Sequence, residues 1–282
     1  MGGFEFCSVD RLEEALSILT RPDSRACVVA GGTDVVRRIR NGEQAPGLLL
    51  DISRIHELRG IREESGLIRV GALTTIAELA ASELLLHKAP ALLQAANRFA
   101  DPNTRNRATL GGNIANASPG GDTLPPLYAL GAQVLICGPK GSRSLPINEC
   151  ITGSFKTALD PDELVMGVCF APCPNSAFTK VALRRAMAIS METAAVALEK
   201  DDEGVVTACR VAFGALASTP VRGFYAEQAF IGKRPDQAVL AAAKEAAVGD
   251  IRPRDGLRGT REYRYSTVGV ILERTFQAAY SQ

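Results

Sequence analysis

The first fifty residues alternate short apolar runs with one helical stripe. Leu12, Ala15, Leu16 and Leu19 recur at helical spacing, and Ser8 or Asp10 stands where a cap belongs. The runs 26–30 (ACVVA) and 48–52 (LLLDI) are apolar apart from Asp51, as strands buried on both faces are. Between them, 35–41 is expected to be helical. The pattern predicts a small β-α-β unit presenting Gly31-Gly32-Thr33-Asp34 at the end of a strand. Strand, glycine turn and helix start together can hold an anion, because free amides and the helix dipole converge there.

From Ile55 the pattern changes. Residues 67–70 read as a strand, Thr74 or Thr75 caps a short helix through Leu79, and Pro90 opens another. Leu92, Leu93, Ala96 and Phe99 supply the apolar face of that second helix. A proline-started helix is expected over 125–130. A strand over 133–137 turns back through Gly138-Pro139-Lys140-Gly141 into 143–145, and a further strand covers 163–168. Pro172-Cys173-Pro174-Asn175-Ser176 reads as a linker. The chain therefore divides into 1–174, with parts of about 1–55 and 56–174, and 175–282. The second piece predicts about three antiparallel strands, two of them over 193–199 and 205–213. Helices on one face follow near 223–230, 236–248 and 260–280, so its class is α+β.

The stretch from Asn106 to Asp122 follows neither the helix nor the strand period and is expected to be a loop. Gly111-Gly112 leaves backbone open to an anion, with Thr109, Asn113 and Ser118 as short donors. Asp122 is an acceptor suited to a sugar hydroxyl or a ring N–H. Neither glycine loop carries G-x-G-x-x-G or the P-loop lysine. Two glycine bends far apart in the chain, both flanked by hydroxyls, point to a long phosphate-bearing ligand between them.

Composition narrows the class. A chain of 282 residues with 46% hydrophobic and 22% charged content is an ordinary globular protein with room for two cores. A net charge of +1 creates no field for nucleic acid or an anionic membrane. No run reaches the ~18 apolar residues of a spanning helix, so a cytoplasmic protein is expected. Arg37-Arg38-Ile39-Arg40 reads as coating a solvated helix face, with a partner-subunit contact as the alternative. The seven cysteines form no C-x-x-C pair, so no iron–sulfur cluster and no metal site is expected in this chain. Two histidines, His56 and His87, are too few for a three-histidine metal site. His87 is placed near the start of a helix, on the surface.

Ala30-Gly31-Gly32-Thr33-Asp34 and the run from Thr109 to Pro119 (TLGGNIANASP) closely resemble the two flavin loops of the FAD-binding medium subunits of molybdenum hydroxylases. That family includes xanthine dehydrogenase and carbon monoxide dehydrogenase. The resemblance continues through 71–79 and ends in Arg261-Glu262-Tyr263-Arg264, covering nearly the whole chain. It implies a two-part PCMH-type FAD-binding domain followed by a smaller α+β domain.

Carried over by position, the resemblance implies that Val28, Val29, Ala30, Gly31, Gly32, Thr33, Asp34 and Val35 hold the FAD pyrophosphate through backbone amides. Thr109, Leu110, Gly111, Gly112 and Asn113 would form the opposing wall. Ser118 belongs to the same loop, and Asp122 would bind the adenosine or ribityl side. Val165 would meet the ring or adenine edge through its backbone, and Lys180 would lie near the flavin pyrimidine. Arg184 and Arg185 match a family pair near the ring. Phe99 is either core or an aromatic against the flavin. Many members carry Lys or Gln with Val or Ile before the Arg-Asn of the second loop; here Asn103-Thr104 stand there.

The resemblance also implies partners: a large molybdenum-cofactor subunit and a small subunit with two [2Fe–2S] clusters, assembled as a dimer of heterotrimers. Electrons would pass through FAD to NAD or another acceptor, and no residue of this chain would act as a base on the substrate. Two other readings stay open, a stand-alone flavoprotein oxidoreductase of the same fold and a relative that has lost its flavin.

Overall fold

In the computed structural model, which describes residues 3–21, 24–184 and 187–282, the N-terminal unit is built on a parallel ladder. Its elements are β1 (Glu5–Ser8), α1 (Leu12–Leu19), β2 (Ala26–Val29), α2 (Val35–Arg40) and β3 (Leu48–Asp51), with β3 central between β1 and β2. The pattern did not predict β1, because its residues are mostly exposed. It is held by register and by Ser8 Oγ, which donates to Asp51 Oδ2 at 3.0 Å. Helix α1 has Arg11 at its N-cap with no side-chain cap bond, so neither Ser8 nor Asp10 serves there. Its stability comes from burying Ala15, Ile18 and Leu19.

Next come β4 (Ile61–Glu64), β5 (Leu67–Gly71), α3 (Ile76–Ala80), α4 (Glu83–Lys88), α5 (Pro90–Arg98), α6 (Pro102–Arg105), α7 (Leu110–Asn116) and α8 (Leu124–Ala129). They are followed by β6 (Gln133–Gly138), β7 (Gly141–Pro146), α9 (Ile147–Cys150), the hairpin β8 (Ile151–Gly153) and β9 (Lys156–Thr157), and β10 (Leu164–Phe170). Strands β4-β5-β10-β6-β7 form an antiparallel sheet. Thr75 caps α3 in a full capping box with Glu78, and Pro90 stands in the first turn of α5. His87 lies in the last turn of α4 rather than near its start. Sheet residues Ile68, Val134 and Val168 share one core with Leu92, Ile114 and Leu127 of the helices.

The expected loop over 106–122 contains a helix, α7. Thr109 is its N-cap and Ala117, in the left-handed region at φ 47°, ends it. Glycine and asparagine are poor helix formers; burial of Leu110 and Ile114 outweighs them.

The C-terminal unit contains β11 (Ser176–Ala182), β12 (Ser190–Lys200), β13 (Val206–Gly214), β14 (Val221–Arg222), α10 (Phe224–Phe230), α11 (Gln237–Asp250) and α12 (Arg261–Tyr280). Its antiparallel sheet has four strands, not three, because the two-residue β14 adds to β13. Its own helices cover one face, as expected, and the preceding unit covers the other. Ala194, Val196 and Leu198 pack with α12, while Ala195 and Ala197 join the core of the preceding unit, where β11 and β12 meet α5 and β12 and β13 meet α8. Residues 190–198 of β12 are consequently buried on both faces. This packing brings the C-terminal sheet to the end of α7.

Candidate functional site

A groove runs between the N-terminal parallel ladder and the start of α7. Val28 and Ala30 to Val35 line one side; Thr109, Gly111, Gly112 and Asn113 line the other, with Val165 of β10 and Phe99 completing the wall. Its space, counting the open mouth, is about 1080 Å³. The two glycine bends that the sequence sets far apart thus face each other.

The first bend is a row of donors. The amides of Gly31, Gly32, Thr33, Asp34 and Val35 have no acceptor among the described residues. Backbone N–H groups in a folded protein are almost always paired, so this row is built to receive something. The second bend is different. Leu110 N donates to Thr74 O at 3.0 Å, Gly111 N to Ala72 O at 2.8 Å and Gly112 N to Thr109 Oγ1 at 3.1 Å. Its glycine amides are spent on the fold and offer no anion cradle, contrary to expectation. What this wall offers is bare backbone at Gly112, where an added Cβ would press on Thr109 Oγ1 at 2.9 Å and otherwise face the groove. It also offers side-chain groups. Asn113 accepts from Thr123 Oγ1 at 2.7 Å through Oδ1, leaving its Nδ2 without a partner among the described residues.

The remaining expected residues lie elsewhere. Val29 and Leu110 are buried behind the groove, and Ser118 accepts from Gly120 N at 3.4 Å. Asp122 and Lys180 face each other. Lys180 Nζ donates to Asp122 Oδ2 at 2.6 Å and to Arg98 O at 3.1 Å, and Ser190 Oγ donates to Asp122 Oδ1 at 2.5 Å. Both charged side chains are 6% exposed. Burial pushes the Asp122 carboxyl up, and the Lys180 charge and the Ser190 bond pull it back. Asp122 is therefore committed to a buried ion pair. Phe99 is half-buried, packing on the core while lining the groove. Arg184 turns its guanidinium back onto Met187 O at 3.1 and 2.5 Å; Arg185 lies outside the described residues.

Sequence reasoning missed several wall residues. Ile52, Leu73, Leu159 and Leu164 make one stretch apolar, with Gln44 beside them. Ser190 had no signal at all. Arg38 did: it stands one turn after Asp34 and so shares its helix face, yet it read as solvated. Past α7, the loop tail is tied to the C-terminal unit, since Ala215 N donates to Pro119 O at 2.9 Å and Arg264 Nη1 donates to Ala215 O.

The family model for the FAD binding domain in molybdopterin dehydrogenase matches residues 2–172, and that for the CO dehydrogenase flavoprotein C-terminal domain matches 177–279. The chain belongs to the FAD-binding medium subunits of the xanthine and carbon monoxide dehydrogenase family. It is similar to a xanthine dehydrogenase FAD-binding subunit from Escherichia coli O157:H7, 34% identical over 98% of this chain and 97% of the relative. It is also similar to a carbon monoxide dehydrogenase medium chain from Hydrogenophaga pseudoflava, 31% identical over 99% of this chain and 98% of that one. A solved carbon monoxide dehydrogenase from H. pseudoflava, which lacks the Mo-pyranopterin moiety of its cofactor, superposes with a TM-score of 0.94 over 99% of this chain and 98% of its own at 31% identity. Quinoline 2-oxidoreductase from Pseudomonas putida 86 gives 0.93 over 99% of this chain and 98% of its own at 26% identity.

This medium subunit is thus an FAD-dependent oxidoreductase component, and its groove fits that cofactor. A dinucleotide needs donors for a diphosphate and apolar surface for its base; the unpaired row at 31–35 and the wall around Ile52, Leu73 and Leu164 supply both. No helix among the described residues is long and apolar enough to cross a membrane, and no cluster of three metal-ligating side chains occurs among them.

Proposed function

We propose that this chain is the flavin station of a heteromeric molybdenum hydroxylase, placed between a small subunit with two [2Fe–2S] clusters and an external acceptor, NAD or another. The unpaired amides of Gly31 to Val35 at the groove carry this reading. Bound FAD supplies the chemistry that joins one-electron carriers to a two-electron acceptor. The residues of this chain bind and orient. Gly31 to Val35 donate to the diphosphate, Thr109 and Asn113 offer side-chain groups from the opposite wall, Val165 and Phe99 bound the space, and the Lys180–Asp122–Ser190 group stiffens the edge near residue 98.

The large subunit would hold the molybdenum cofactor and the substrate. Relatives on this fold are named for xanthine, carbon monoxide and quinoline, which supports a substrate pocket outside the present chain. The assembly proposed is a dimer of heterotrimers in the cytoplasm. The stand-alone flavoprotein reading needs a base or a covalent flavin anchor, and no histidine lines the groove among the described residues.

Purification of the chain with its genomic neighbours tests the proposal. A yellow complex with large and small subunits, whose flavin is reduced when substrate is added and reoxidised by the acceptor, is expected. A yellow chain that purifies alone and turns over a substrate by itself would overturn the partner assignment, and a colourless one the cofactor assignment.

A further inference from the structure

Among the described residues, Arg38 is the wall residue whose charge is left unmatched. Three side chains lining the groove are formally charged: Asp34, Glu163 and Arg38. Asp34 faces Arg37 Nη2 at 3.9 Å. Glu163 receives Arg143 Nε at 2.7 Å and Nη2 at 2.6 Å, which holds its carboxyl below the usual range. Arg38 has no carboxylate within 4.0 Å among the described residues, although its neighbour Arg37 faces both Asp34 and Glu43. The Cys27 thiol, also in the wall, is pushed up by burial and stays neutral.

The guanidinium is nevertheless held in place. Its Nη2 donates to Asn116 Oδ1 at 2.5 Å, and its plane lies over the Phe155 ring, 5.2 Å from the centroid. Phe155 stands at the tip of the β8–β9 hairpin, fixed by its own amide donating to Ala117 O at 2.9 Å. Thus α2, the end of α7 and the hairpin grip one cation beside a row of free amides. A half-buried cation without a counter-ion costs free energy unless an anion completes the site. A planar guanidinium fixed beforehand also loses less freedom on binding phosphate than a mobile one.

We propose that Arg38 is the cationic ligand of the FAD diphosphate, pre-positioned by Asn116 and Phe155. The proposal rests on the cofactor reading above. The amides of 31–35 then give direction, and Arg38 gives charge.

FAD titrated into the flavin-free full chain, followed by quenching of flavin fluorescence at several NaCl concentrations, tests it. Arg38→Met is expected to weaken FAD binding about ten- to hundredfold at low salt, with the deficit narrowing as salt rises. Arg38→Lys is expected to recover part of the affinity and the salt dependence. Arg40→Met, an exposed cation of the same helix outside the groove lining, is expected to bind as wild type. Thermal melting monitors the fold; should Arg38→Met not fold, Arg38→Gln carries the same comparison. Wild-type affinity in Arg38→Met, or a loss equal at all salt concentrations, overturns the charge role while leaving the FAD assignment standing. A wild-type chain that takes up no FAD overturns that assignment, and the proposal with it.

Discussion

Gly31 and Arg107 are in backbone contact: a Cβ built on Gly31 would lie 1.9 Å from the Arg107 carbonyl oxygen. The first glycine bend therefore packs directly on the lead-in to the second, with no room for any side chain.

Gly31→Ala forces one backbone to move. Overpacking costs about 1–3 kcal/mol, and here the obstacle is a carbonyl rather than a flexible side chain. The expected outcome is a melting temperature lowered by several degrees together with loss of FAD. Calorimetry with and without added FAD checks both; an unchanged melting temperature sinks the contact argument.

Gly112→Val separates cofactor from fold. Its side chain would meet Thr109 Oγ1 and otherwise enter the groove. Flavin absorbance of the purified variant is expected to vanish while circular dichroism keeps its wild-type shape and the flavin-free melting temperature falls only by the cost of a disturbed Thr109 cap, about 1 kcal/mol. Full flavin content in the variant would show that the groove is not the site.

Lys180→Met leaves Asp122 buried without its cation. Removing one partner of a buried pair costs about 3–5 kcal/mol, and the C-terminal sheet is expected to loosen from α8. Lys180→Met/Asp122→Asn is expected to recover a good part of that loss, because no buried charge is then orphaned. Denaturant titrations of the single and double variants decide; a double variant no more stable than Lys180→Met contradicts the pairing.

Glu192 gives a pH signature. It is buried, accepts from Thr267 Oγ1 at 3.0 Å and lies near Arg264; burial raises its carboxyl above the usual 4.5. The folded chain thus holds that proton more tightly than the unfolded one, and this group costs stability as pH rises past 4.5. Glu192→Gln cannot titrate, so its stability relative to wild type is expected to improve over that rise. A relative stability that is flat or falling with pH in the same window refutes it.

How much was legible follows from what local pattern can carry. The ladder around Gly31-Gly32 was readable because strand, bend and helix follow one another within twenty residues. Helix α7 was not, since Gly111, Gly112 and Asn113 speak against a helix and only tertiary burial of Leu110 and Ile114 overrules them. The spent amides of α7 were invisible for the same reason: their acceptors, Ala72 and Thr74, lie in another segment. Asp122 was singled out as a loop acceptor and Lys180 by family resemblance, but their mutual bond spans 58 positions and no periodicity encodes it. Arg38 was misread because three neighbouring arginines look like a solvated face, while only its neighbours in space turn one of them inward.

The tie from Ala215 to Pro119, backed by Arg264, sets an order on biosynthesis. The tail of the second bend obtains a partner, Ala215, from about a hundred positions downstream, and Arg264 in turn holds Ala215. A nascent chain emerging from the ribosome cannot close that tie until Ala215 has left the exit tunnel, and Arg264 can back it only later. The groove itself is lined by residues between Cys27 and Val165, so its walls precede that tie in the order of synthesis.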